Sequence, residues 1–556
     1  MNMDLKKTIR KHVLKNAFDY GKASPGSVVG KVIADVPKAK EDMKNTMKLV
    51  NEIVEEINKM PKNKIEEELK EYKFEKKEET KKKIVEAKGK VITRFPPEPS
   101  GYPHIGHAKA AWLDYTVAKE NDGEMILRFD DTNPEKEKEE YVNAIKEGLK
   151  WLGVEWAKET YTSDNIEKIY EYAEKLIKNG NAYVCTAEKD EISSMRTTKE
   201  PLKDRENSPK ENLELWNEMK KGKKYVLLFK GDLKSQNTVM RDPSIARVIT
   251  KEHYRQGTKY KIWPGYDLAV TVMDNLEGIT HSMRTKEYEL RDELYLALCK
   301  ALGFKPPELI GFSRLEIKNA PISKRLLKPL VEEGKVLGWD DPRLPTLSGL
   351  ERRGVVPEAI MEFVLSFGLS KVESSPSYEK LLSLNRKMID AKAKHYFFVP
   401  NPVKVKIINP APKLVRISLH PKEKIGHREI AVSSIVYISK EDLDETKEGD
   451  IIRLKDFCNV QIVKKGKTPE IERIGDSIVP KKIQWVSDEY SETEIIIPKD
   501  LLKDDKFDPK SLEIVNGYAE NECERLGQGE IIQFERFGFC RLDSNEKKKL
   551  RFVFSC

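Results

Sequence analysis

The stretch Val91-Ile-Thr-Arg-Phe-Pro-Pro-Glu-Pro-Ser-Gly-Tyr-Pro-His-Ile-Gly-His107 decides the fold. Val91–Phe95 reads as a buried strand, and the Pro-rich segment to Gly101 as a turn. His104 to about Asn121 reads as a helix with Ala108, Ala111, Trp112 and Tyr115 on one apolar face. Met125–Phe129 is a second strand. It runs into Asp130-Asp131-Thr132-Asn133-Pro134, a helix-entry sequence, and a helix over Glu135–Leu152 closes the unit. Strand, helix, strand, helix at this spacing indicates a parallel α/β sheet.

Within that unit, Pro103-His104-Ile105-Gly106-His107 lies between a strand and a helix. A helix N-terminus presents N–H groups and the positive end of a dipole to phosphates. Gly106 permits close backbone approach. Two imidazoles one turn apart can donate to a phosphate as its charge grows in a transition state. The five residues alone leave open the alternative of two unrelated loop histidines. Gly26-Ser-Val-Val-Gly30-Lys31 is no rival phosphate loop, because it is one spacer short and Val32 stands where a metal-binding hydroxyl belongs.

Outward from this unit the texture changes twice. Residues 1–88 are dominated by Lys and Glu and read as solvated helices or a flexible linker. Residues 185–262 are polar and less regular, the pattern of an insertion or small module. Helical patterns fill 285–302 and 357–395. Beyond Pro400 come short β-type runs: 403–408, 413–419, 430–438, 451–454, 460–463, 494–497, 531–536 and 550–554. Turn residues separate them, as in barrels.

Composition sets bounds. At roughly 100–200 residues per domain, 556 residues allow about three to five domains. The net charge of +8 is mild for this surface and by itself demands no nucleic acid. No apolar run approaches the roughly 18 residues a membrane span needs. The N-terminus has no signal-peptide core. The cysteines are scattered without a CxxC pair, against a disulfide framework or a Cys-rich zinc site. The expectation is a cytoplasmic protein with no structural zinc and no membrane partner.

Arg94 to His107, followed by Leu127-Arg-Phe-Asp-Asp-Thr-Asn-Pro134, resembles the class I aminoacyl-tRNA synthetases, in the glutamyl/glutaminyl branch. The second signature of that family has its counterpart at Pro321-Ile322-Ser323-Lys324-Arg325. Here Pro321 replaces the first lysine and Ile322 the methionine, which leaves Lys324 as the motif's one ammonium. Trp263-Pro-Gly-Tyr-Asp267, Leu276-Glu-Gly-Ile-Thr-His-Ser282 and Trp339-Asp-Asp-Pro-Arg-Leu-Pro-Thr346 follow in family order. The resemblance covers about residues 89–556, and the β-rich end resembles the archaeal/eukaryotic type.

The resemblance implies a multidomain α/β plus β architecture. Its parts are a charged helical extension (1–88), a Rossmann-like catalytic domain in two halves (89–184 and 263–320), and an inserted acceptor-end module (185–262). A signature loop with helical connector (321–395) and two C-terminal β-barrels that read the anticodon (396–556) complete it. It implies ATP as substrate, Mg2+ travelling with it, and tRNA as partner. His104, His107 and Lys324 would stabilise the reacting phosphate, with Pro103, Gly106 and Ser323 completing the ATP site. Arg94, Asp130 and Tyr266 would hold the amino acid. Asp130 has the alternative of capping the next helix, a task Asp131 could take instead. Arg241, Arg247, Lys251 and Arg255 suit tRNA phosphates.

One position separates the two amino acids. A glutamate carboxylate needs a cationic partner, whereas a glutamine amide would leave a buried guanidinium unpaired. Glutaminyl-type members carry cysteine two positions after Thr-His-Ser-Met's serine, and here Arg284 stands there. The resemblance therefore implies L-glutamate and tRNA(Glu). Charging of tRNA(Gln) with glutamate stays open. The alternatives are a glutaminyl enzyme and a catalytically inactive tRNA-binding scaffold.

Overall fold

The structure is a computed structural model. It describes all residues except 1, 21, 70–71, 73–82, 322, 374, 411–413, 478 and 547–548. The sequence readings at Ile322 and over 75–82 therefore lie outside the described residues. The chain divides into two compact units, Met1–Lys82 and Lys83–Cys556.

The first unit corrects the reading of residues 1–88 as merely solvated helix or linker. Helices Asn2–Tyr20, Pro25–Asp35, Met43–Asn58 and Lys62–Leu69 bury Ile9, Val13, Val28, Val32, Val50 and Ile57 in a core of their own. Apolar residues recur at helical spacing (9, 13, 17 and 50, 53, 54, 57), an amphipathic stripe obscured by the surrounding Lys and Glu. Arg10 ties three of the helices by donating to Glu56 at 2.7 Å and Glu68 at 2.8 Å. Gly26–Lys31 lies inside the second of these helices, not in a loop.

In the second unit, β1 (Ile92–Phe95), β2 (Glu124–Phe129) and β3 (Lys158–Tyr161) pair in parallel. β4 (His281–Thr285) and β5 (Glu308–Phe312) form another parallel pair. The pairs meet at β1 and β4, where the Thr280 N–H donates to the Ile92 carbonyl at 3.0 Å and the Ile92 N–H to Thr280 Oγ1 at 2.8 Å. Helix α1 (Ile105–Glu120) crosses between β1 and β2 and buries Ile105, Ala108 and Trp112 against Leu127 and Phe129. The return turn requires Gly123, because a Cβ there would lie 1.9 Å from the Val91 carbonyl oxygen.

The helix expected from Glu135 begins at Glu139. Glu137 instead folds back to accept the Asn133 N–H at 2.8 Å, and Lys138 bonds the Pro99 carbonyl in extended conformation. Asp131 does not cap that helix; it accepts the Ser163 N–H and hydroxyl at 2.8 and 2.7 Å.

The region read as irregular contains an antiparallel sheet of Ala182–Cys185, Val226–Phe229, Ser244–Val248 and Ile262–Pro264. Two helices, Lys189–Thr198 and Pro209–Lys220, accompany it. Tyr183, Trp216 and Trp263 are buried there with Leu227, Ile245 and Ile262, so a polar sequence still encloses an apolar core.

Helix α2 (Tyr266–Leu276) leads back into the parallel sheet, and α3 (Lys324–Glu332) opens the connector. Beyond residue 393 are two seven-stranded, barrel-like sheets. The expected run 430–438 is two strands, His427–Ala431 and Ile435–Ser439. Leu512–Glu520 and Gly538–Glu546 are strands the apolar-run criterion misses, because many of their residues face solvent. Among the described residues no helix is long and apolar enough to cross a membrane. All six cysteines are free and buried.

Candidate active site

The N-terminus of α1 is closed by its own histidines. The Gly106 N–H donates to His104 Nδ1 at 3.1 Å, and the His104 N–H to His107 Nδ1 at 3.2 Å. The Ile105 N–H bonds the Pro345 carbonyl at 3.0 Å, and the His107 N–H the His104 carbonyl at 2.8 Å. The free backbone donors expected at this terminus are thus already used. What the motif offers instead is two imidazoles whose Nδ1 atoms accept, so that Nε2 of each carries the hydrogen. The rings lie 4.0 Å apart. Burial lowers the His104 pKa well below the ordinary value, with His107 and Arg314 adding to it, and burial alone pulls His107 down to about 4. Both are neutral donors at neutral pH.

The Trp339–Thr346 segment braces this loop. Leu347 donates to the Pro103 carbonyl at 2.9 Å, and Trp339 stacks on Tyr102 at 5.1 Å. Arg343 is locked to Asp341 at 2.7 Å, both buried. Lys324 starts α3. Its ammonium donates to the Ser100 carbonyl and lies 4.7 Å over the Tyr141 ring. Burial and the neighbouring Lys328 and Lys138 lower its pKa. Ser323 stands at the N-cap of α3 without a side-chain bond to the helix. Lys136, Lys138, Arg325 and Lys328 line the same open cleft, together with the carboxylates Glu135, Glu140 and Glu332.

On the other side of the turn 96–100 is a cleft of about 520 Å³. Asp130, Tyr266 and Arg247 line it, with Glu98, Tyr288 and Arg291. Asp130 sits beyond the carboxyl end of β2, accepting from Arg128 at 3.1 Å and Thr162 at 2.9 Å; desolvation raises its pKa. Tyr266 begins α2 and packs on Tyr288 at 4.7 Å.

Arg94 and Arg284 do not line that cleft. They are buried, and both act electrostatically on the Tyr266 hydroxyl, whose pKa burial pushes up. Arg94 donates to Asp274 at 3.0 Å and to the Met283 carbonyl at 3.1 Å. Arg284 donates from Nε to Ser282 Oγ at 3.1 Å and from Nη1 to Asp292 at 3.3 Å, while Nη2 is buried without a partner.

The sequence reading missed the group that orients Arg94. Asp274 Oδ1 accepts from Arg94 and, at 2.8 Å, from Arg128; Arg128 also reaches Glu277 at 2.8 Å. Although burial opposes ionisation, the flanking guanidiniums hold Asp274 down at about 2, so it is anionic. The signals were Arg128 between Leu127 and Phe129 in a buried strand, and Asp274 after Val272 and Met273 in an apolar helix. A charge buried in either place needs a partner.

Of the residues assigned to tRNA, Arg247 faces the cleft. Arg241 is occupied by the Ser235 and Arg196 carbonyls at 2.9 and 3.0 Å. Arg255 pairs with Asp164 at 2.8 Å and stacks 3.7 Å from Tyr161, and Lys251 reaches the Glu135 carbonyl at 3.3 Å. His281 is held by Thr280 at 2.8 Å and pairs with Glu308 at 3.4 Å, a structural role. No group of three or more His, Cys, Asp or Glu side chains suited to a metal ion occurs among the described residues.

A parallel sheet thus carries an HxGH helix N-terminus and a charged cleft beyond its strand ends, with a lysine at the start of a further helix. The family model for the catalytic domain of "tRNA synthetases class I (E and Q)" matches residues 90–391. Two models for that family's anti-codon binding domain match 393–475 and 482–543. The chain belongs to this family. It is 43% identical to the glutamate–tRNA ligase of Nitrosopumilus maritimus, over 98% of this chain and 99% of that one. It is 38% identical to the glutamate–tRNA ligases of Cenarchaeum symbiosum (97% and 98% covered) and Korarchaeum cryptofilum (99% of each).

Proposed function

We propose that this chain is a glutamate–tRNA ligase. The α-carboxylate of L-glutamate attacks the α-phosphate of ATP, giving glutamyl-adenylate and pyrophosphate. The terminal ribose hydroxyl of tRNA(Glu) then attacks the activated carbonyl and releases AMP. No protein nucleophile is needed; the protein contributes positioning and electrostatics.

In this reading His104 and His107 donate their Nε2 hydrogens to the reacting phosphate. Lys324 moves from the Ser100 carbonyl to the departing pyrophosphate. Mg2+ bound to the phosphates of ATP would supply further neutralising charge. Asp130 and the Tyr266 hydroxyl take the substrate ammonium, and Arg94 and Arg284 its carboxylates. Arg247, on the edge of the cleft, takes the tRNA acceptor end, and the two barrel-like sheets the anticodon. We assign the reaction to the cytoplasm, and extend it to tRNA(Gln) as a second acceptor.

The observation that carries the amino-acid assignment is Arg284, buried with one nitrogen unpartnered. An unpaired buried donor costs about 1–3 kcal/mol, a cost a substrate carboxylate removes and an amide carbonyl removes less well. The similarity to archaeal glutamate–tRNA ligases supports the same reading. The test is tRNA-dependent ATP–pyrophosphate exchange with glutamate and glutamine side by side, in wild type and Arg284→Ala. Glutamate exchange that collapses in the variant is expected. A glutamine preference would move the assignment to the other amino acid, and no exchange despite tRNA binding would leave a scaffold. Charging assays with the two purified tRNAs test the second acceptor.

A further inference from the structure

The Arg284 guanidinium sits over Tyr295, its Cζ 4.1 Å from the ring centroid. Tyr295 is fully buried in the helix Glu289–Leu302, and its hydroxyl donates to Asp274 Oδ2 at 3.0 Å. Burial and the Asp274 charge raise the phenol's pKa, so it stays a donor. The other oxygen of the same carboxylate takes Arg94 Nε. Arg94 and Arg284, which have no bond to each other in the structure, therefore share one frame, Arg94–Asp274–Tyr295–Arg284.

We propose that Tyr295 is a positioning residue that sets the preference for glutamate over glutamine. The inference rests on the reading of Arg284 as the partner of the side-chain carboxylate. A guanidinium held at two edges by Ser282 and Asp292 can still tilt about the line between them. A ring face beneath it removes that freedom and fixes where the free Nη2 lies. The hydroxyl bond to Asp274 in turn fixes the ring. Because the same carboxylate orients Arg94, a shift of Tyr295 changes the spacing of the two cations that meet the two ends of one amino acid. Such a spacing error falls on binding of glutamate and not on binding of ATP. It falls harder on glutamate than on glutamine, whose amide gains least from Arg284.

The experiment compares Tyr295→Phe, Tyr295→Leu, Arg284→Ala and the Leu/Ala double variant by tRNA-dependent exchange, with thermal melting of each. Tyr295→Phe keeps the ring and loses the Asp274 bond; about a 3- to 5-fold rise in KM for glutamate is expected. Tyr295→Leu loses the ring, and about a 10- to 30-fold rise is expected, consistent with a desolvated cation–π contact. KM for ATP stays within about twofold in both, and the glutamate-to-glutamine ratio of kcat/KM falls in the same order. In the double variant Tyr295→Leu adds almost nothing to Arg284→Ala. A role in folding alone would lower the melting temperature, or change both KM values together, without moving that ratio. If Arg284→Ala raises KM for glutamate while both Tyr295 variants leave KM and the ratio within twofold, the positioning role is wrong and the Arg284 reading stands. If Arg284→Ala itself leaves KM for glutamate unchanged, that reading fails and takes this one with it.

Discussion

Two helix N-termini carry the signature residues, and they are built in opposite ways. The start of α1 is satisfied from within: two imidazole nitrogens and two carbonyls take its first backbone N–H groups, and the Trp339–Thr346 segment braces it. The start of α3 has no side-chain cap, and the Lys324 ammonium contacts the Ser100 carbonyl and the Tyr141 ring. The first terminus is preorganised before any ligand arrives. The second is held by the Lys324 ammonium, the group that in the proposed reaction changes partner from the Ser100 carbonyl to phosphate. Donors that must be in place for the transition state belong on a rigid element, and a charge that follows a leaving group must be free to change partner.

The largest test of this contrast is His107→Ala. It removes a donor and a cap together, so exchange should fall about 10²- to 10³-fold and the melting temperature should fall with it. Unchanged stability would mean the cap contributes nothing.

The pH dependence of stability is next. The unfolded imidazole titrates near 6.5 and folded His107 near 4, so the unfolded state binds more protons in between. The contribution is present above pH 6.5 and is lost as pH falls through 4, on the order of 3 kcal/mol. Urea melts from pH 7.5 to 4 should show wild type losing more stability than His107→Gln, by on the order of 3 kcal/mol. Parallel curves would show that the ring is not held neutral. Asp131 and Glu137, raised to about 7 and about 8, run the opposite way and cancel in the difference.

Lys324→Ala should cost exchange about 10²-fold with an unchanged melting temperature. A matching loss of stability would make the two termini alike. The smallest effect separates two caps. Thr346 accepts the Gly349 N–H at 3.1 Å and donates to the Trp339 carbonyl at 2.7 Å, so Thr346→Ala should cost about 1 kcal/mol. Ser323→Ala should stay within about 0.5 kcal/mol by denaturant titration.

The parallel α/β unit was legible because its strands and α1 follow simple periods and its turns carry Pro and Gly. The N-terminal core was not, since dense Lys and Glu hide an apolar stripe that appears only when its spacing is counted. Strands such as Leu512–Glu520 escaped because their faces are half solvated. At the site, the spacing of His104 and His107 was readable, but the use of their Nδ1 atoms as caps was not. That follows from backbone geometry at Gly106 and from a segment more than two hundred residues further on.

The sequence by itself determined the parallel α/β unit, the two signature motifs and the presence of Arg284 two positions after Ser282. These are local, written as residue types at fixed offsets. Only the tertiary structure decided which charges share a partner. Asp274 joins Arg94 from β1, Arg128 from β2 and Tyr295 from a later helix. The reason is physical: burial strengthens each electrostatic contact and makes an unpaired charge costly, so partners are chosen by proximity in the fold and not by position in the chain.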